Sequence, residues 1–168
     1  MSQLKGGDGL DAAALDLTGE EKAEVLEVLG GDVYLMQSRR ARYILLRLDE
    51  ILANGSGATY EHSTITIEHV LPRTPGSASE WITNFTYPER QQWTHKLGNL
   101  LLLNRRKNSA AGTYDFTKKK AGYFATSNGS AVFALTTQVL QHAEWTPAVV
   151  EKRQRELIEA LTEAWDLT

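Results

Sequence analysis

Two short stretches of this chain read as strands, and they limit what it can fold into. Residues 63–70, STITIEHV, are β-branched, with Ile65 and Ile67 alternating with Thr64 and Thr66. Residues 98–103, GNLLLL, make a second short apolar strand entered through a glycine turn. Pairing 64–68 with 100–103 gives a β-hairpin with a long insertion between its arms. Pro72, Pro75 and Gly76 open that insertion as a loop. Trp81, Ile82, Phe85, Trp93 and Leu97 then form a broken apolar pattern that suits one or two short helices.

Most of the remaining chain carries helical spacing. Residues 18–29 offer Thr18 and Glu21 as a capping box, and Gly30–Gly31 end the helix. Residues 37–53 place Ala41, Ile44, Leu45, Leu48, Ile51 and Leu52 on one stripe, leaving Arg39, Arg40, Arg42 and Arg47 for solvent or a neighbouring element. Short helices are expected near Asn108 and Phe116, and a longer one over 130–141. A last helix over 148–165 has Thr146 as its cap and Pro147 at its first position. The expected class is α+β and mostly helical, with a small two-stranded antiparallel sheet embedded in helices. The expected organisation is a linker or flexible N-terminus over 1–17 and one domain over 18–168. Its motif core would be 64–120, with helical extensions at 18–53 and 130–166.

A chain of 168 residues buries about 70% of its unfolded surface without covalent staples. It has no cysteine, which excludes disulfide scaffolds, thiolate zinc sites, iron–sulfur clusters and cysteine nucleophiles. No apolar run approaches the roughly 20 residues that span a bilayer, and the N-terminus lacks the core of a signal peptide. A cytoplasmic protein with no membrane partner is the expectation. The Gly/Asp/Ala-rich start also suits a piece of a longer protein.

Net charge is -3, but it is unevenly spread. Residues 90–143 hold eight basic residues and only Asp115 as an acid, net +7. Residues 1–50 carry -4, while 51–89 and 144–168 carry -3 each. A basic middle between acidic ends suits a focused phosphate-binding face, although Lys and Arg also serve simply to solvate a surface.

Two sequence pieces stand out for chemistry. One is Ile67-Glu68-His69-Val70-Leu71-Pro72. The other is Leu97-Gly98-Asn99-Leu100-Leu101-Leu102-Leu103, followed by Asn104-Arg105-Arg106-Lys107-Asn108. Together they resemble the HNH, or ββα-metal, nuclease domain. More narrowly, they resemble the cysteine-free domain that ends Gmr-type modification-dependent restriction endonucleases. Phe116-Thr117-Lys118-Lys119 and Trp145…Arg153…Leu157 match that family's later F-x-x-K and W…R…L pieces, so the resemblance runs from about residue 37 to 166.

The resemblance implies a role for each matching residue. His69 would be the general base. Glu68, where the wider class usually has Asp, would bind one divalent cation, Mg²⁺ or Mn²⁺, together with Asn108. Asn99 would hold the histidine through the backbone of the intervening loop. Lys119 would contact phosphate closely, and Arg105, Arg106, Lys107, Lys118 and Lys120 would grip the nucleic-acid backbone. His95 either contacts the scissile phosphate or packs beside Trp93. No structural zinc is implied. The partner would be DNA, double-stranded and within reach of modified forms. Full-length relatives carry an N-terminal ParB-like, nucleotide-dependent sensor, and this chain has no glycine-rich phosphate loop of its own.

The chemistry agrees with those residue types. A histidine with near-neutral pKa can take a proton from water, and Glu and Asn oxygens suit a hard cation. Adjacent strand positions point to opposite faces, so Glu68 and His69 require either a break in the strand or a motif that brackets the substrate from two sides. Each residue also has an ordinary reading. Asn99 suits a turn, Asn108 a helix cap, and the lysines a solvated cluster. The competing functions are a nuclease acting on RNA, a degenerate HNH domain that binds DNA or protein, and a helical interaction domain with an accidental match.

Overall fold

The structure is a computed structural model that describes residues 16–53, 64–104, 111–125 and 131–168. Its only sheet among these residues has two antiparallel strands, β1 (Thr66–His69) and β2 (Leu100–Leu103). Thr66 pairs with Leu103, Ile67 with Leu102, Glu68 with Leu101 and His69 with Leu100. β1 therefore lies slightly later than the expected 64–68 and ends on His69, while β2 falls where its leucines predict.

Both faces of the sheet are covered, which is why β2 is apolar at every position. Leu100 and Leu102 join one core with Leu29, Leu45, Leu48, Leu157 and Leu161, against which Ile65 and Ile67 pack. Leu101 and Leu103 join a second core with Val70, Leu71, Trp81, Phe85, Phe116 and Trp145. The first core is closed by α1 (Gly19–Gly30), α2 (Ser38–Leu52) and α7 (Pro147–Ala164). The insertion between the strands folds into α3 (Glu80–Asn84) and α4 (Tyr87–Trp93), whose tryptophans enter the second core. After β2 come α5 (Phe116–Lys119), which widens into a π-turn over Lys120–Phe124, and α6 (Ala134–Gln141).

The caps follow the sequence closely. Thr18 and Glu21 close their box on α1, and the Thr146 hydroxyl accepts from the Val149 amide at the start of α7. α6 begins later than its apolar pattern predicts because Phe133 is extended. The buried Asp49 carboxylate, from α2, accepts the Leu135 amide at 2.8 Å and so satisfies that helix start.

α7 presses directly on the turn that enters β2. A Cβ on Gly98 would lie 2.6 Å from the Val150 carbonyl oxygen, so only glycine fits there. The Gly98 amide donates to Gln154 Oε1 at 2.6 Å. The buried Arg153 guanidinium donates to the carbonyls of Gly98 at 2.8 Å, Leu100 at 2.9 Å and Leu135 at 3.1 Å. A long helix face otherwise apolar at Val150, Leu157 and Leu161 thus holds the Leu97–Asn99 turn with two polar side chains. No helix among the described residues is long and apolar enough to cross a membrane.

Candidate active site

His69 closes β1, and the backbone beyond it is fixed from two sides. The Val70 amide donates to the Asn99 carbonyl at 2.9 Å, and the Leu71 amide donates to Asn99 Oδ1 at 2.7 Å. Asn99 Nδ2 donates to the carbonyls of Leu71 and Thr94, each at 2.9 Å. Trp145 Nε1 adds a bond to Asn99 Oδ1 at 3.2 Å. From the other side, the Lys119 ammonium donates to the His69 carbonyl at 2.9 Å and the Val70 carbonyl at 2.8 Å. Asn99 is fully buried and has bonds to both its oxygen and its nitrogen, so its side chain has no freedom to turn.

Strand pairing persists through His69, so β1 has no break between Glu68 and His69. The pleat sends them to opposite faces. On the His69 face, its ring meets Tyr34 edge-on at 4.1 Å between centroids and His95 at 5.5 Å. Tyr34 also stacks on His95 at 5.7 Å, and its amide donates to the His95 carbonyl at 3.1 Å. Burial is the main cause that holds His95 below the usual histidine pKa; Asp32 opposes the shift and Arg73 reinforces it. Glu68 shares the other face with Leu101 and the second core. Burial pushes the Lys119 ammonium down to about 7, and the negative charge of Glu68 opposes that shift.

One expected phosphate contact needs correction. Lys119 is 1% exposed and spends its donors on backbone carbonyls, so it organises the end of β1 rather than reaching a phosphate. Lys120 is half-buried and donates to the His142 carbonyl, which ties the π-turn to the end of α6. Lys118 is exposed, with its ammonium 3.6 Å above the Tyr114 ring. Arg90 and Lys96, also in the positive stretch, donate to the carbonyls of Phe85 and Gly30. Much of the +7 is therefore structural cation. Arg105, Arg106, Lys107 and Asn108 lie outside the described residues.

Tyr34 and Arg73 were missed. Tyr34 sits in a single 3-10 turn, Val33–Leu35, which is far from either motif in sequence and gives no signal. Arg73 directly follows the Pro72 that ends the first motif and is the sole basic residue of 51–89. Its guanidinium lies 6.0 Å from the Tyr34 ring centroid.

The later motif pieces prove to be supports for the same backbone segment. Phe116 packs on Trp145 at 5.4 Å and on Trp81 at 6.4 Å, which seats α5 so that Lys119 reaches β1. Trp145 reaches Asn99, and Arg153 holds the turn beneath it. This arrangement agrees with a comparison of sequence families. The model for GmrSD restriction endonucleases, C-terminal domain, matches residues 24–160. The chain belongs to that family. As a GmrSD C-terminal domain it is an HNH-type nuclease, the effector part of a restriction system, and membership implies a divalent metal and DNA. No curated protein and no solved structure matches the chain. Among the described residues, no three His, Cys, Asp or Glu side chains gather closely enough to hold a metal by themselves.

Proposed function

We propose that this domain hydrolyses DNA phosphodiester bonds, with His69 as general base and Glu68 as the charged ligand of one divalent cation. The observation that carries the reading is the double pinning of the His69–Leu71 backbone by Asn99 and Lys119. A base must sit within hydrogen-bond reach of the water it activates, and a fixed main chain gives the imidazole that precision.

The donor set fits Mg²⁺ or Mn²⁺. Such ions take one or two carboxylates and leave their other positions to water and phosphate, so no three-residue acidic cluster is required. Glu68 supplies a carboxylate at the buried end of β1, and Asn108 would add an amide oxygen. When bound, the cation supplies charge relief at the phosphate and at the departing 3′ oxygen. His69 takes the proton of the attacking water from the opposite face of β1. Tyr34 and His95 fence that imidazole and limit its rotation. With Glu68 and His69 on opposite faces, the motif brackets the scissile phosphate from two sides. The products would carry 5′-phosphate and 3′-hydroxyl ends. The sensing of modified DNA would belong to an N-terminal partner domain.

Plasmid nicking with Mg²⁺ or Mn²⁺ tests the proposal. His69→Ala should lower the rate by at least about 100-fold. Equal metal-dependent nicking by contaminant-free wild type and His69→Ala would overturn it.

A further inference from the structure

The mouth of the site carries a cation that neither motif contains. We propose that Arg73, seated on Tyr34, is a DNA phosphate contact beside His69. This rests on the reading of the domain as a DNA nuclease and names the residue that anchors the strand there.

Its main-chain position is unusually well fixed. The residues leading to it are held by Asn99 at Val70 and Leu71, and by Lys119 at His69 and Val70. Pro72 follows, with its own φ locked and Leu71 restricted by it. Arg73 thus leaves a rigid platform four residues after the histidine, and its side chain is exposed. The guanidinium sits 6.0 Å from the Tyr34 ring centroid, at the range where ring and cation attract. The same Tyr34 ring touches His69 at 4.1 Å, so one aromatic side chain links the guanidinium to the imidazole. The charge of Arg73 is also felt at His95, which contacts both rings.

Three cations of the positive stretch 90–143 are committed elsewhere. Lys119 and Lys120 donate to backbone carbonyls, and Lys96 donates to Gly30 and pairs with Asp32 at 3.9 Å. Arg73 has no acidic partner among the described residues. A planar fork, preordered on a ring and open to solvent, matches the geometry of phosphate oxygens. Bound next to the imidazole, it would hold a backbone phosphate in the register that His69 needs.

The test measures binding apart from cleavage. A fluorescently labelled DNA duplex of about 25 base pairs is titrated with His69→Ala and with His69→Ala/Arg73→Ala between 50 and 200 mM salt, in EDTA. The slope of log Kobs against log salt should become shallower by about one when Arg73 is lost. Arg73→Lys should restore most of the slope, and Arg155→Ala, on the exposed face of α7, should leave it unchanged. Tyr34→Leu should weaken binding less than Arg73→Ala does. Equal slopes and affinities with and without Arg73 would overturn the proposal and leave the nuclease reading intact. A parent that binds no DNA across this range would overturn it as well. Undiminished nicking by His69→Ala would instead strike the proposed function.

Discussion

The ammonium of Lys119 lies 2.9 Å from the carbonyl oxygen of His69, the residue whose imidazole faces Tyr34 on the other side of the sheet. A buried positive charge is costly, and its energetic return here is the shape of one peptide segment. Lys119→Met keeps the length and packing but leaves the His69 and Val70 carbonyls without their donor. The expected loss is about 1–3 kcal/mol, because unmet buried acceptors are offset in part by removing a desolvated charge. Urea denaturation measures it, and nicking should fall in parallel. A variant with native stability but weaker DNA binding would restore the simple phosphate-contact role.

Asn99→Asp tests the second clamp without changing volume. It removes the donors to Leu71 and Thr94 and sets a carboxylate oxygen against both carbonyls. Destabilisation of about 3 kcal/mol is expected from the lost and reversed bonds. Thermal melting checks it, and an unchanged transition would show that the amide is not holding the loop.

Much of this scaffold was legible in the sequence, for identifiable reasons. The Thr18–Glu21 capping box, Pro147 and the helical stripe of α2 are local signals, so Thr18–Glu21 and Ala41–Leu48 fell where expected. β2 was legible because both of its faces are apolar. Lys119 was misread because a lysine in a basic run carries no local mark of burial; only Phe116 and Trp81, packed around α5, decide it. Tyr34 was invisible for a similar reason. Its contacts with His69 and His95 cross long stretches of chain, and no spacing rule reports them. Glu68 and His69 were left with two geometries, and continuous pairing to Leu101 and Leu100 removes the one that needs a break between them within β1.

Gly98→Ala should be among the most damaging small substitutions. Its Cβ would meet Val150 O at 2.6 Å and Gln154 N at 3.1 Å, both main-chain atoms of α7 that cannot rotate away. An overpacking cost of about 1–3 kcal/mol is expected. Equal denaturation midpoints for the variant and the parent would mean that α7 can slide.

Mild acid should loosen the fold through two histidines. His95 is lowered by burial, against Asp32 and with Arg73; His142 is lowered by burial and by Arg153, Lys152 and Lys120, against Glu156. Their folded pKa values therefore lie below about 6.5, the unfolded value. Between those values the unfolded chain binds more protons, so stability is full above about pH 6.5 and falls as pH drops towards the folded values. The urea midpoint should be lower at pH 5.5 than at 7.5. In His142→Gln the fall should be shallower, whatever its absolute stability. An identical pH dependence in both proteins would refute this.

Metal removal gives a test of Glu68 that does not depend on cleavage. A ligand that binds only the folded chain raises its stability by RT ln(1 + [L]/Kd), about 2.7 kcal/mol at 100 times Kd. Mn²⁺ should therefore raise the melting temperature of the wild type, and EDTA should reverse the rise. Glu68→Gln keeps the side-chain volume and one oxygen but loses the charge that a hard cation needs. Its melting temperature should respond little to Mn²⁺. His69→Ala, altered on the opposite face of β1, should retain the response. A full Mn²⁺ shift in Glu68→Gln would move the cation away from this carboxylate and leave the imidazole's role to be judged by nicking alone.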